Sequence, residues 1–252
     1  MNGLWHEINL NSSNVEAGKP PFIYNYKAPA TETQNRFATL FFLQKDLYSG
    51  ANKTVHFIRT SSGTILLPRR MADSIPFSSI KLQDILAHLS IEPNSTEAET
   101  IKNTLQECEE PPVDGVTKYC ATSLESMVDF SMSTLGTRNV RASSTTVDNH
   151  ATPKQVYTMS KVQKLASSKF VSCHVMNYLY AVFYCHSGET VAYTVSMVGN
   201  DGSKVEAVAT CHIETAKFNP QNLAFQVLHV KPGTVPVCHF LLENDILWGP
   251  NK

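Results

Sequence analysis

The chain has 252 residues, a formal net charge of −1 at pH 7 and a hydrophobic content of 42%. This length suits one large domain or two small ones and is sufficient to bury a core. The near-zero charge excludes the electrostatic footprint of a protein that binds nucleic acid or an anionic membrane. No stretch reaches 18 apolar residues, so we predict no transmembrane helix and no membrane partner.

The first half of the chain is predicted to contain a tail, two strands and three helices. Residues 1–36 are polar and rich in proline and alanine, which predicts a flexible tail, because such a segment buries too little apolar surface to order alone. The folded domain is predicted to span residues 37–252. Its first elements are strands near 37–43 and 54–60, followed by helices near 78–89, 94–108 and 123–135, each beginning at a Ser, Thr or Asn that can cap it.

From residue 139 onwards the pattern is almost entirely that of strands. Segments rich in Val, Tyr, Phe and Thr lie near 139–145, 154–159, 171–176, 180–186, 191–198, 204–212, 223–230 and 235–241. The turn Gly199-Asn200-Asp201-Gly202 is a strong hairpin signal. Helices mainly in the N-terminal half and antiparallel strands in the C-terminal half predict an α+β fold.

The dipeptide Cys-His recurs in this second half. It occurs four times, at Cys173-His174, Cys185-His186, Cys211-His212 and Cys238-His239, where the composition of the chain would give roughly 0.2 by chance. Neighbouring side chains of a strand point to opposite faces, so each pair sends its sulfur to one face and its imidazole to the other. A Cys2His2 zinc site needs both ligand types on one metal, and this pattern suits it poorly.

The separation of sulfur from nitrogen favours disulfides on one side and a nitrogen-rich metal site on the other. For such a site Cu(II) ranks highest among the divalent metals, with Zn(II) as the main rival. The predicted ligands, catalytic through the metal, are His174, His186, His212 and His239. His56 and His229, each in a predicted strand, form a second tier of candidate ligands.

All six cysteines are predicted to form disulfides. Cys108 and Cys120 flank a polar, proline-containing loop that can close locally, whereas the other four, Cys173, Cys185, Cys211 and Cys238, allow three pairings that the sequence leaves open. Three disulfides indicate an oxidising compartment, and glycosylation sequons at Asn11, Asn52 and Asn94 agree with secretion. Residues 1–20 lack an apolar core, so secretion implies a signal peptide that this sequence does not contain.

The Cys-His series, with eight residues between His239 and Trp248, resembles the signature of the plant BURP domain. Other stretches resemble the seed-protein branch of that family: Phe41-Phe42-Leu43, Leu67-Pro68-Arg69-Arg70, and the segments 72–78, 121–127 and 231–239. The resemblance covers about residue 20 to the C-terminus. It implies disulfide-stapled Cys-His motifs whose histidines supply one or two type II copper centres.

The resemblance also implies an enzyme. Several BURP proteins are copper-dependent peptide cyclases that use O2 to join a Trp or Tyr side chain to an unactivated carbon of a ribosomally made core peptide. That core peptide is expected in the protein's own tail or on a separate chain. The tryptophan-type core motifs of the family are absent from this sequence, which leaves Trp5, Tyr24 and Tyr26 as candidate crosslinking residues in the tail.

The sequence leaves two other functions open. The first is a non-catalytic secreted seed, stress or cell-wall protein, which binds metal and has cell-wall polysaccharide as a possible partner. The second is a zinc-stabilised β domain. Secretion would place the protein in the apoplast or the vacuole. The tyrosines near the first two Cys-His pairs and Trp248 are interpreted as packing residues in all of these cases.

Overall fold

The structure, a computed structural model, describes residues 38–57, 65–148 and 153–251. These residues form an α+β fold with two antiparallel sheets, as the sequence predicts. The tail predicted at 1–36 lies outside the described residues, and so do the candidate crosslinking residues Trp5, Tyr24 and Tyr26. None of the described helices combines the length and the apolar character needed to cross a membrane.

The larger sheet, sheet A, draws strands from both halves of the chain. In chain order they are β1 (Phe41–Leu43), β2 (Asn52–Val55), β5 (Thr146–Val147), β6 (Gln155–Lys164), β9 (Thr190–Gly199), β10 (Lys204–His212) and β11 (Val237–Phe240). Their spatial order is β1-β11-β10-β9-β6-β2, with β5 paired to the first part of β10. β9 and β10 form the hairpin predicted from the Gly-Asn-Asp-Gly turn, in which Gly202 adopts a φ of +83°.

The smaller sheet, sheet B, has five strands. They are β3 (Thr117–Ala121), β4 (Val140–Ser143), β7 (Val171–Val175), β8 (Phe183–Ser187) and β12 (Ile246–Pro250), in the order β3-β8-β7-β12-β4. Strands β3 and β12 are absent from the sequence prediction. β12 carries Trp248, which is 8% exposed and packs in the core beneath sheet B.

The helices lie mostly between β2 and β4. They are α1 (Arg69–Ala72), α2 (Leu82–His88), α3 (Thr96–Glu109), α4 (Leu124–Leu135) and α5 (Leu223–Leu228). α3 and α4 begin at Ser95 and Ser123, whose side chains accept from a backbone N–H three residues on, as N-caps do. α4 ends at Gly136 with a φ of +69°, as the sequence predicts.

The helices are not confined to the first half, because α5 occupies the segment where a strand was predicted at 223–230. The prediction of that strand is wrong. A short apolar run fits a buried strand or a buried helix equally well, and local contacts decide between them. Asn222 accepts from the N–H of Ala224 at the start, and the left-handed His229 ends the helix, so Phe225 packs against Phe41 of β1.

Each sheet has one face buried in its own core. On sheet A, Cys211 and Cys238 lie in an apolar cluster with Phe42 and Phe240. On sheet B, Cys173, Cys185 and Trp248 lie in a second cluster that includes Met127 and Leu135 of α4. Because strand side chains alternate, the histidines that follow these cysteines must point away from both cores.

Candidate metal centre

Two cross-strand disulfides link the pairs of antiparallel strands that carry the histidines. Cys173 lies opposite Cys185 in the β7–β8 pair, and Cys211 lies opposite Cys238 in the β10–β11 pair. Both pairs are disulfide-bonded with Cα atoms 3.9 Å apart, and all four residues are fully buried. The strand registers therefore decide the pairing that the sequence left open. The third disulfide is the predicted local one, Cys108–Cys120, which links α3 to β3.

The same registers place the histidines in diagonal pairs. On sheet B, His174 lies opposite Tyr184 while His186 lies opposite Ser172. On sheet A, His212 lies opposite Val237 while His239 lies opposite Thr210. Each pair of imidazoles thus lies on one face of its strand pair, and the disulfide of the same strand pair lies on the opposite face.

The four rings meet between the two sheets and form what we call the histidine quartet: His174, His186, His212 and His239. Ring centroids are 5.3 Å apart for 174–186, 5.7 Å for 186–212, 5.6 Å for 212–239 and 5.5 Å for 239–174. Sheet B supplies the first two rings and sheet A the last two. Each imidazole of the quartet therefore has two others as neighbours, and both sheets contribute rings.

The quartet is buried, and burial lowers the pKa of three of its four rings. The four residues are between 1% and 5% exposed. Burial and, to a lesser extent, the neighbouring rings hold the pKa of His186 and of His239 well below the ordinary value. The same two causes lower the pKa of His212 to about 3. A neutral imidazole keeps the nitrogen lone pair through which a metal binds.

Short polar contacts join ring nitrogens of the quartet to one another and to nearby side chains. His174 Nε2 lies 3.2 Å from His186 Nε2, and His174 Nδ1 lies 3.1 Å from Asp245 Oδ2. His239 Nε2 lies 3.0 Å from Thr210 Oγ1. Across the described ranges, no three His, Cys, Asp or Glu side chains are already disposed as the ligands of one ion. The four rings are neighbours, but their nitrogens do not point at one common centre.

Two of the four rings have nitrogens spaced as the ligands of one metal ion are. Two nitrogens bound to one metal at about 2.0–2.1 Å each lie about 3 Å apart, close to the observed separation of His174 Nε2 and His186 Nε2. His239 has to give up its contact with Thr210 to join them. An all-imidazole set without thiolate suits Cu(II) first and Zn(II) second.

Aromatic side chains enclose the quartet. Tyr184 lies 5.8 Å from the His186 ring, Phe218 lies 5.6 Å from the His212 ring and Phe41 lies 6.4 Å from the His239 ring. Tyr184 packs at the site, and its interpretation as a strand-packing residue stays a prediction. These apolar walls limit the access of water to the rings.

The second-tier histidines occupy different kinds of position. His56 directly follows β2, which lies at the opposite edge of sheet A from β1, and its backbone N–H donates to Thr39. His229 is exposed and ends α5, rather than lying in a strand. A ligand role for either histidine stays a prediction.

Sequence reasoning missed two residues that hydrogen-bond the quartet, Asp245 and Thr210. Both are buried, at 5% and 0% exposure. Asp245 has no clear signal, because it directly follows Glu243 and Asn244 in a polar turn of the sequence. Thr210 has no clear signal either, since threonine is common in strands.

Comparison with known proteins shows the family of the chain. Residues 40–250 match the BURP domain, and the chain belongs to the BURP family. It is 52% identical to BURP domain-containing protein 3 of Oryza sativa subsp. japonica, over 93% of this chain and 56% of that protein. It is 48% identical to BURP domain protein RD22 of Arabidopsis thaliana, over 93% of this chain and 62% of that protein. The chain thus spans little more than half the length of these two relatives. It covers 94% of BURP domain-containing protein 6 of Oryza sativa subsp. japonica, at 47% identity.

The buried imidazoles predict that the metal-free protein loses stability in acid. His186, His212 and His239 each have a lower pKa in the folded than in the unfolded chain. The unfolded chain therefore binds more protons below about pH 6.5, and the free energy of unfolding decreases as the pH falls. The loss reaches about 1.4 kcal/mol per pH unit for each such histidine, down to the folded pKa. Urea unfolding of metal-free protein between pH 7 and pH 4 measures it.

Two variants test whether the buried histidines cause this loss of stability in acid. His212→Gln and His239→Gln should each reduce the slope of stability against pH. A free energy of unfolding that stays constant from pH 7 to pH 4 contradicts the proposed neutral state of the buried rings.

Proposed function

We propose that the chain is a copper-dependent, O2-using oxidative peptide cyclase, which joins a Trp or Tyr side chain to an unactivated carbon of a core peptide. The observation that carries this proposal is the histidine quartet, a buried group of four imidazoles contributed by two sheets. One ion held by these rings, or two ions that share them with further ligands, agrees with this donor set.

The residues that would hold copper are His174, His186, His212 and His239. Bound copper would supply, together with dioxygen, the oxidising power by which the peptide loses two hydrogen atoms and dioxygen gains two electrons and two protons. The protein's own contribution is to fix the rings and to keep thiols away. Free thiolates would bind copper or reduce Cu(II), whereas all six cysteines lie in disulfides.

The surroundings of the quartet support the same proposal. Phe41, Tyr184 and Phe218 line it with aromatic surface, which limits the access of water to the rings. Thr210 and Asp245 hydrogen-bond the rings of His239 and His174 and restrict their rotation. The hydrogen bond with Asp245 keeps Nε2 of His174 directed at the other rings, whereas the one with Thr210 must break before His239 can bind a metal.

The substrate in this proposal is a core peptide, either in the protein's own tail or on a separate chain. A peptide in the same chain is always near the site, which gives the reaction the advantage of proximity. The candidate crosslinking residues in this tail are Trp5, Tyr24 and Tyr26. Three disulfides agree with a secretory location, for which we propose the apoplast or the vacuole.

Intact-mass measurement tests the enzymatic proposal. We expect copper-loaded protein in air to lose the mass of two hydrogen atoms per crosslink, and tandem mass spectrometry to place the crosslink at Trp5, Tyr24 or Tyr26. Anaerobic protein and metal-free protein are the controls, and Trp5→Phe, Tyr24→Phe and Tyr26→Phe identify the residue. An unchanged mass with every candidate core, supplied in the chain or as a separate peptide, contradicts catalysis.

The burial of the quartet favours a second candidate function. With each of its histidines at most 5% exposed, a substrate side chain has little access to the rings. A secreted metal-binding BURP protein without catalytic activity, in seeds, stress responses or the cell wall, needs no such access. It would bind copper with the same histidines but show no change of mass, and binding to cell-wall polysaccharide would add support.

A further inference from the structure

The side chain of Asp245, in the turn between β11 and β12, makes three polar contacts. Its Oδ1 accepts from the backbone N–H of Val175 at 3.1 Å, and its Oδ2 accepts from the N–H of Leu242 at 3.1 Å. The same Oδ2 lies 3.1 Å from Nδ1 of His174. Since Asp245 is only 5% exposed, this one side chain ties β7 of sheet B to the segment that leaves β11 of sheet A.

The contacts of Asp245 decide which nitrogen of His174 carries the hydrogen. The two backbone groups can only donate, so both carboxylate oxygens act as acceptors. Nδ1 of His174 must then donate to Oδ2, which leaves Nε2 as the ring nitrogen that can bind a metal. That nitrogen is the one that faces the quartet, 3.2 Å from Nε2 of His186.

We propose that Asp245 is a positioning residue, which holds His174 in the Nδ1–H tautomer and directs its Nε2 lone pair at the metal site. This inference rests on the proposed metal site, but the tautomer itself is a property of the metal-free protein. A carboxylate behind a ligating imidazole both orients the ring and makes it a stronger donor. His174 is thereby the anchor ligand of the quartet.

His239 differs from His174 in both of its nitrogen contacts. Its Nε2 lies 3.0 Å from the hydroxyl of Thr210 and its Nδ1 lies 3.4 Å from the carbonyl oxygen of Phe240. A carbonyl accepts, so Nδ1 donates weakly there, and the hydroxyl of Thr210 donates to Nε2. A metal must displace this hydroxyl before it can bind His239, and it must replace the contact between Nε2 of His174 and Nε2 of His186 before it can bind both of those rings.

Nitrogen NMR of the metal-free wild-type protein tests the tautomer directly. Histidines labelled with 15N give long-range proton–nitrogen correlations that distinguish Nδ1–H from Nε2–H rings, and His174→Gln assigns the signal. We expect His174 in the Nδ1–H form. A His174 ring in the Nε2–H form, or one that exchanges evenly between the two forms, overturns the proposal whether or not the protein binds copper.

Copper affinity, measured by competition with a chelator, separates positioning from general stability. Asp245→Asn cannot accept all three hydrogen bonds, and we expect it to weaken copper binding about 10- to 100-fold. The matched control is Thr145→Val, since buried Thr145 bridges Val208 and Leu241 in the same region without touching a histidine. Thr145→Val should lower the melting temperature but leave copper affinity unchanged.

The copper affinities of the two variants support or contradict the role of Asp245. Wild-type affinity in Asp245→Asn, or an equal loss in Thr145→Val, contradicts the role of Asp245. If Asp245→Asn fails to fold, the tautomer in the wild-type protein still decides. If the wild-type protein binds no copper, the proposed function fails, while the NMR measurement still shows whether Asp245 fixes the ring of His174.

Discussion

His186→Gln should lower the affinity for copper by roughly a hundredfold or more. The loss of a ligand costs more than the loss of a ligand's hydrogen-bond partner, which itself costs about 10- to 100-fold. His186 has the central position for this test, because its ring contacts His174 of the same hairpin and His212 of the opposite sheet. Chelator competition and the electron paramagnetic resonance signal of Cu(II) measure the effect.

The control for this prediction is a histidine outside the quartet. His88→Gln, at the exposed end of α2, should bind copper as the wild-type protein does and give the same spectrum. Near-UV circular dichroism checks that His186→Gln keeps its tertiary packing. Stoichiometric copper with an unchanged spectrum in a folded His186→Gln protein contradicts the assignment of the quartet.

Removing the disulfide behind the sheet A histidines should destabilise the protein strongly. The pair Cys211→Ala and Cys238→Ala opens a crosslink with a sequence separation of 27, and we expect a loss of about 3–4 kcal/mol in the free energy of unfolding. Copper affinity should fall as well, because each cysteine is next to a quartet histidine in sequence. Denaturant unfolding and chelator competition measure the two effects.

The third disulfide is the matched comparison. Cys108→Ala with Cys120→Ala opens a crosslink with a sequence separation of 12, so the expected cost is similar, about 3 kcal/mol. Neither cysteine is adjacent to a quartet histidine, so we expect a much smaller loss of copper affinity. An equal loss of affinity in both double variants would show that the disulfides act through overall stability and not by positioning the imidazoles.

The alternation of strand side chains made the centre of the site predictable. Adjacent Cys and His residues in a strand must face opposite ways, and the structure places sulfurs in the two cores and imidazoles between the sheets. Helices α3 and α4 were predictable for a local reason, since Ser95, Ser123 and Gly136 fix their ends. In each case neighbouring residues carry the information.

Features that depend on distant parts of the chain were not predictable. The partner of Cys211 depends on which strand lies beside β10, and the connection to β11 contains α5, where a strand was expected. The role of Asp245 depends on its contacts with Val175 and His174, about 70 residues earlier. Strands β3 and β12 owe their pairing to sheet B rather than to a strong local pattern.

X-ray absorption spectroscopy of the copper-loaded protein tests most directly whether the imidazoles bind the metal while the sulfurs lie on the opposite faces of the strands. We expect a first shell of imidazole nitrogens, with the multiple scattering of several histidine rings and no sulfur contribution, together with an absence of free thiols. A sulfur shell around the copper, or a spectrum that is unchanged when His174, His186, His212 and His239 are replaced together, would contradict it.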